Sequence, residues 1–125
     1  MISFIKGKVE IKKINYLVIN VNNIGYKILM PIFDIQKSKV GEDVTIHTRH
    51  YQNDTEVFLY GCRNEQHLDF FVTLTSVNGV GPKLALSILS KGNISEIITA
   101  IQQADKNFFK DIKGVGPKMA LKIIV

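Results

Sequence analysis

The chain has 125 residues, enough for one domain of ordinary size or two small ones, and 46% of them are hydrophobic, a share that supports a packed core. A single cysteine, Cys62, excludes an internal disulfide and a cysteine-rich zinc site, and no apolar run reaches the roughly 18 residues of a membrane span. Sixteen Lys and Arg against eleven Asp and Glu leave a formal charge of +5, which favours a polyanionic partner.

Residues 1–8 are too polar and too alternating for a signal peptide, so a soluble, cytoplasmic protein is expected. From Ile2 to about Gly61 apolar residues recur with period two, in short runs rich in β-branched and aromatic side chains. Five strands are predicted: residues 2–12, 16–21, 26–32, 44–51 and 56–61. In the second, Leu17, Ile19 and Val21 share one face. Asn22-Asn23-Ile24-Gly25 supplies the turn into the third, Pro31 belongs near that strand's end or at an edge, and Gln52-Asn53-Asp54-Thr55 joins the last two. The excursion through residues 34–42, with Gln36-Lys37-Ser38-Lys39, reads as a solvated loop. Such a unit fits a small closed barrel of the OB type; a five-stranded meander has the same periodicity.

Residues 63–66 are the expected linker between a barrel at 1–63 and a helical domain at 64–125. Beyond them the period becomes helical. Leu68, Phe71, Val72 and Leu74 form a first apolar stripe, and Leu84, Leu86, Ile88 and Leu89 a second. Asn93 or Ser95 can cap a helix carrying Ile97, Ile98 and Ile101, and Asp105 a short one carrying Phe108 and Phe109. The fold class is therefore α+β: a five-stranded OB-fold barrel followed by an all-α domain with two helix–hairpin–helix motifs.

Those motifs are a repeat. Asn78-Gly79-Val80-Gly81-Pro82-Lys83-Leu84-Ala85-Leu86 returns as Lys113-Gly114-Val115-Gly116-Pro117-Lys118-Met119-Ala120-Leu121. Paired glycines turn the backbone tightly and leave no side chain between its N–H groups and an anion. Proline is a ready first helical residue, so each new helix aims free N–H groups and a positive dipole end at the turn, where a phosphate oxygen can sit. A bare corner needs one glycine and tolerates many neighbours; two copies of the same filling favour phosphate binding. Charge agrees, because no acid lies between Asp69 and Glu96, a window holding Lys83 and Lys91, and none follows Asp111, where Lys113, Lys118 and Lys122 fall.

A barrel followed at once by two Gly-Val-Gly hairpins resembles the RuvA family of Holliday-junction-binding subunits. The likeness covers essentially the whole chain and rests on Gly7, Gly25-Tyr26, Met30-Pro31, Leu59-Tyr60-Gly61 and, most specifically, the motif at 78–86. It implies a homotetramer, alone or as two facing tetramers, that holds a four-way junction open and flat. It assigns phosphate contacts to the hairpins at Asn78, Gly79, Val80, Gly81 and Lys83 and at Gly114, Val115, Gly116, Lys118 and Lys122. It also implies an acidic pin before the Tyr-Gly strand end; here Asp54 fills one position, Thr55 interrupts the pair, and Glu56 follows. Family members continue into a third domain that docks on the RuvB motor, so motor recruitment is not expected of a chain ending at Val125; the RuvC resolvase is a further implied partner.

No catalytic constellation, metal site or cofactor is expected. His47 and His50, three apart in a strand, point to opposite faces, and His67 is isolated. There is no Gly-x-x-x-x-Gly-Lys-Ser/Thr loop for ATP. A helix–hairpin–helix glycosylase would need an aspartate some way after a hairpin; the second hairpin has no acid after it, the first has none before Glu96, and too few helices remain for a base-flipping pocket. The remaining alternative is a general single-strand or duplex binder, with Phe33, Tyr51 or Phe58 as an exposed stacking platform on the barrel.

Overall fold

The computed structural model describes residues 1–110, in two compact units, 1–68 and 69 onward. In the first unit the strands are β1 (Phe4–Lys12), β2 (Tyr16–Val21), β3 (Ile24–Leu29), β4 (Asp43–Gln52) and β5 (Val57–Cys62), with a short helix α1 (Ile32–Lys37) between β3 and β4. They close in the order β1-β2-β3-β5-β4 and back to β1. Of these pairs only β3 and β5 run parallel, with Ile28 beside Leu59; the others are antiparallel. This is the OB-type barrel, and closure disposes of the meander.

Alternation drives the closure. Ile5 and Val9 of β1, Leu17 and Ile19 of β2, Ile28 of β3, Val44 and Ile46 of β4 and Leu59 of β5 point inward and form one buried cluster. Small residues let the walls approach, as at Gly61, where a Cβ would lie 2.7 Å from Ile46 Cγ2 and 2.8 Å from Ile28 Cγ2. The β2–β3 turn is tighter than expected. Val21 pairs with Ile24, and Asn22 and Asn23 alone reverse the chain at φ 51° and 69°, the left-handed pair that asparagine tolerates in a two-residue hairpin. Gly25 consequently lies inside β3, and the strand starts two residues earlier than predicted.

The excursion after β3 is not a solvated loop. Pro31 caps α1, in which Asp34 and Ile35 are buried, and Ser38 beyond it is fully buried. Asp34 accepts a hydrogen bond from the Arg63 N–H at 3.1 Å, and burial raises its carboxyl above the usual value. The Arg63 guanidinium bonds Ser38 Oγ at 3.3 Å and pairs with Glu42 at 3.1 Å. The segment read as a linker is thus held at its first residue, and Asn64 next to it accepts from the Gln66 N–H at 2.7 Å, opening the following helix. Cys62 is fully buried and its thiol is pushed up by that burial, as fits a small core residue.

Helices α2 (Glu65–Thr75), α3 (Pro82–Leu89), α4 (Ile94–Gln102) and α5 (Lys106–Lys110) follow. Asn93 caps α4 by accepting from the Glu96 N–H while its own amide donates to the Glu96 carboxylate, both at 2.9 Å. Asp105 caps α5 through the Phe108 N–H. In the second unit Phe71, Leu74, Val80, Ala85, Ile88, Leu89, Ile97 and Phe109 are buried. No single helix among the described residues is long and apolar enough to cross a membrane.

Candidate nucleic-acid interface

The hairpin between α2 and α3 is built from its turn outward. The last turn of α2 tightens as Ser76 and Val77 donate to the carbonyls of Thr73 and Leu74. Val80 then donates back to Val77 at 2.9 Å, with Gly79 at φ 91° making the reversal. A residue with a Cβ is strained there, which accounts for the first glycine. Gly81 caps α3 in extended backbone at φ −87°, a conformation open to any residue, and a Cβ on it would meet nothing within 4 Å. Neither backbone conformation nor packing requires glycine at 81.

Pro82 takes the first helical position and Gly81 O accepts from the Ala85 N–H at 3.0 Å. The N–H groups of Gly79, Gly81 and Lys83 find no acceptor among the described residues. Asn78, Gly79, Gly81 and Lys83 are exposed, and the first turn of α3 carries no acid. Free N–H groups, a positive helix end and one lysine lie together at this exposed turn, an arrangement whose charge favours an anion. Val80 differs from its expected role. Its side chain is 4% exposed and its N–H is spent inside the turn, so it anchors the hairpin to the core and offers a phosphate nothing. Gly114, Val115, Gly116, Lys118 and Lys122 lie outside the described residues.

Asp54 and Glu56 fall in one exposed turn between β4 and β5. Asn53 organises it: its N–H donates to the Glu56 carbonyl at 2.9 Å, and its side-chain oxygen accepts from the N–H groups of Thr55 and Glu56 at 3.0 and 2.8 Å. Glu56 precedes β5, so both carboxylates belong to the loop. The barrel aromatics do not form an open platform. Phe33 meets the His67 ring edge-on at 5.5 Å, Tyr51 meets Tyr60 at 5.3 Å, Phe58 lies 6.0 Å from Tyr60, and all three are half-buried. His47 and His50 do face opposite sides of β4, and no group of three His, Cys, Asp or Glu among the described residues could hold a metal.

What sequence reasoning missed is the network of Asp34, Ser38, Glu42 and Arg63. The signal was present: Pro31 followed by Ile32, Phe33 and Ile35 is a helix start, and an acid on that apolar stripe has to find a donor.

Residues 1–61 match the family described as the RuvA N terminal domain, and residues 71–125 the SAM-like helix-hairpin-helix tandem. The chain is 41% identical over 111 residues to the Holliday junction branch migration complex subunit RuvA of Ehrlichia ruminantium (strain Gardel), covering 88% of this chain and 58% of that protein. Subunits of the same name are 35% identical over 106 residues in Pseudomonas fluorescens (strain Pf0-1), covering 84% and 52%, and 35% identical over 108 residues in Exiguobacterium sp. (strain ATCC BAA-1283 / AT1b), covering 86% and 55%. The chain spans just over half the length of these relatives. With a RuvA amino-terminal barrel, a tandem hairpin region behind it and this identity to curated subunits, the chain belongs to the RuvA family.

Proposed function

We propose that the chain is a non-catalytic, structure-selective DNA-binding subunit that assembles as a tetramer on Holliday junctions and supports branch migration driven by a partner ATPase. The observation that carries this reading is the exposed hairpin at 78–83, where the N–H groups of Gly79, Gly81 and Lys83 find no acceptor among the described residues and a Cβ on Gly81 would meet nothing within 4 Å. A duplex phosphate docks there on main-chain donors, and the Lys83 ammonium adds a point charge. The repeat at Gly114, Val115, Gly116 and Lys118, with Lys122, supplies a second grip, so each subunit holds one stretch of backbone at two places.

Such contacts position the protein without reading bases, and selectivity then follows DNA shape. Four subunits sharing one centre each take an arm. Asp54 and Glu56, exposed on the β4–β5 turn, act as the acidic pin: two carboxylates near the crossing repel phosphates and keep strands apart. The relatives' name sets them in a branch migration complex. In that setting the RuvB motor supplies ATP hydrolysis, the RuvC resolvase acts on the same junction, and the protein works in the cytoplasm with the DNA.

The test is a titration of a four-way junction against linear duplex of equal length. Junction binding at least about tenfold tighter, ~1.4 kcal/mol, is expected; equal affinity refutes junction selectivity and leaves a general DNA-binding module.

A further inference from the structure

Alternation gives the barrel an outer face as definite as its core. Ile5 of β1 and Val44 and Ile46 of β4 point inward, so Phe4 and Lys6 on the first strand and Thr45, His47, Arg49 and Tyr51 on the second point outward. The β1–β4 register sets Phe4 opposite His47 and Lys6 opposite Thr45, and residues directly opposite share a face. Tyr60 of β5 stands opposite Arg49, whose guanidinium lies 6.0 Å over the Tyr51 ring. Rings and cations therefore alternate over one outer face, along roughly 20 Å of β4.

Phe4 is 59% exposed, the only exposed aromatic side chain of residues 1–68. On the outer face of β2 and β3 the Tyr16 ring is covered by Lys27 Nζ, 4.4 Å from its centre. Lys6, Lys8, His47 and Arg49 supply the charge around Phe4, while His50, opposite Leu59, faces inward. Acids stand at the ends of the face. Asp43 is bonded to Lys8 at 3.1 Å, Glu10 beyond it accepts from the Asn20 amide at 3.5 Å, and Asp54 and Glu56 lie in the turn past Tyr51. Between those ends, residues 4–8, 44–52 and 57–62 contain no acid. Neither Lys6 nor Arg49 has a carboxylate partner among the described residues.

A duplex offers phosphates to such a surface but keeps the faces of its bases stacked inside. A single strand offers both: a splayed base stacks on an open ring while the backbone follows the cations. We infer that the outer face of β1 and β4 binds a single nucleic-acid strand, with one base on Phe4 and flanking phosphates on Lys6 and Arg49. The site is separate from the hairpin grip proposed above, which takes backbone alone, and it does not rest on junction selectivity.

The experiment uses the 125-residue chain and a labelled oligothymidylate of about 16 nucleotides, the upper site size of one OB fold, with binding read by fluorescence anisotropy. The wild type is expected to bind it. Phe4→Ala should weaken binding by about tenfold or more, the effect of removing one stacking ring, and Phe4→Leu, which keeps an apolar side chain without a ring, should weaken it nearly as much. Lys6→Ala and Arg49→Gln should each lower the magnitude of the log–log salt slope by about 0.7, one phosphate contact on a single strand. Urea midpoints and affinity for linear duplex should stay at wild-type values in all four variants. A wild type that ignores the oligothymidylate overturns the inference, as does Phe4→Ala binding it normally. Normal binding by Phe4→Leu removes the stacked base. Equal loss of strand and duplex by a folded variant makes the face a general electrostatic surface, and a lower mass of Phe4→Ala by light scattering gives it to a contact between copies; either result overturns the strand site. None of these outcomes decides the junction titration, and a protein without junction selectivity leaves this measurement as decisive as before.

Discussion

In the barrel a glycine stands where two walls nearly touch, whereas in the hairpin a glycine stands where nothing is near. A Cβ at Gly7 would run into the Asn20 carbonyl oxygen and lie 2.9 Å from Val21 Cγ2. A Cβ at Gly81 would meet nothing within 4 Å. The same residue type therefore answers two demands, close packing of strands in one unit and clear access to a helix end in the other. Stability and affinity separate along that line, and substitutions can test it.

The largest expected effect is at Gly7. Backbone cannot retreat as a side chain can, so Gly7→Ala must push β1 from β2, and overpacking of this kind costs about 1–3 kcal/mol, occasionally more. Urea unfolding of the variant should show a lower midpoint at unchanged slope, while DNA affinity per folded molecule stays at the wild-type value. A wild-type midpoint would show that the strands are looser than the contact implies.

Gly81→Val reverses the pattern. Extended backbone and open space leave only the loss of a favoured N-cap residue, so stability should fall by no more than about 1 kcal/mol. Affinity for duplex or junction should fall by about tenfold or more, since a branched side chain blocks donors to a charged oxygen that are worth about 1.5–3 kcal/mol each. A gel-shift titration beside the urea curve reads both. If the variant binds normally, the anion does not sit at this helix end.

These contrasts also show what is legible in the amino-acid sequence. Strict alternation around Leu17, Ile19, Val44 and Ile46 dictates a half-buried sheet, and the repeated Gly-Val-Gly-Pro-Lys dictates a hairpin, because each pattern has one cheap physical solution. The partner of the helix at Ile32–Lys37 is hidden: Lys37 and Lys39 look solvated and are, yet Ser38 between them and Asp34 one turn earlier are buried and bonded to Arg63, 25 to 29 residues away in sequence. Local pattern carries no information about such a partner. Val80 misleads for a related reason, since a residue between two glycines is as well placed to anchor a turn as to present it.

The helical unit also contains a position that calls for glycine and lacks one. Ala104 follows α4 at φ 53°, with the Asp105 N–H reaching back to the Ala100 carbonyl at 2.9 Å, the usual closure of a helix end. Left-handed backbone costs a residue with a Cβ roughly 1–2 kcal/mol, so Ala104→Gly should stabilise the protein by about 1 kcal/mol after the added entropy of the unfolded chain. Thermal unfolding should show a higher midpoint, with DNA affinity unchanged because the substitution lies outside both glycine turns.

The smallest effect concerns charge rather than space, and it is conditional on pH. Burial outweighs the Arg63 N–H and the nearby positive charges of His67, Lys37 and Arg63, so the Asp34 carboxyl is raised above 3.8 in the folded chain. The folded state therefore holds its proton to higher pH than the unfolded state does, and the associated stability is present below the unfolded value and lost as pH rises through the folded one. An amide side chain at this position would keep an oxygen for the Arg63 N–H without a charge to bury. Asp34→Asn should accordingly gain on wild type as pH rises from about 3 to about 7, across the ordinary carboxylate range and beyond it, with the two unfolding curves converging at the acid end. Curves that diverge there instead would mean that the ionised carboxylate is the better partner for Arg63, and that the barrel's buried acid is held by attraction to its cations rather than kept in spite of its burial.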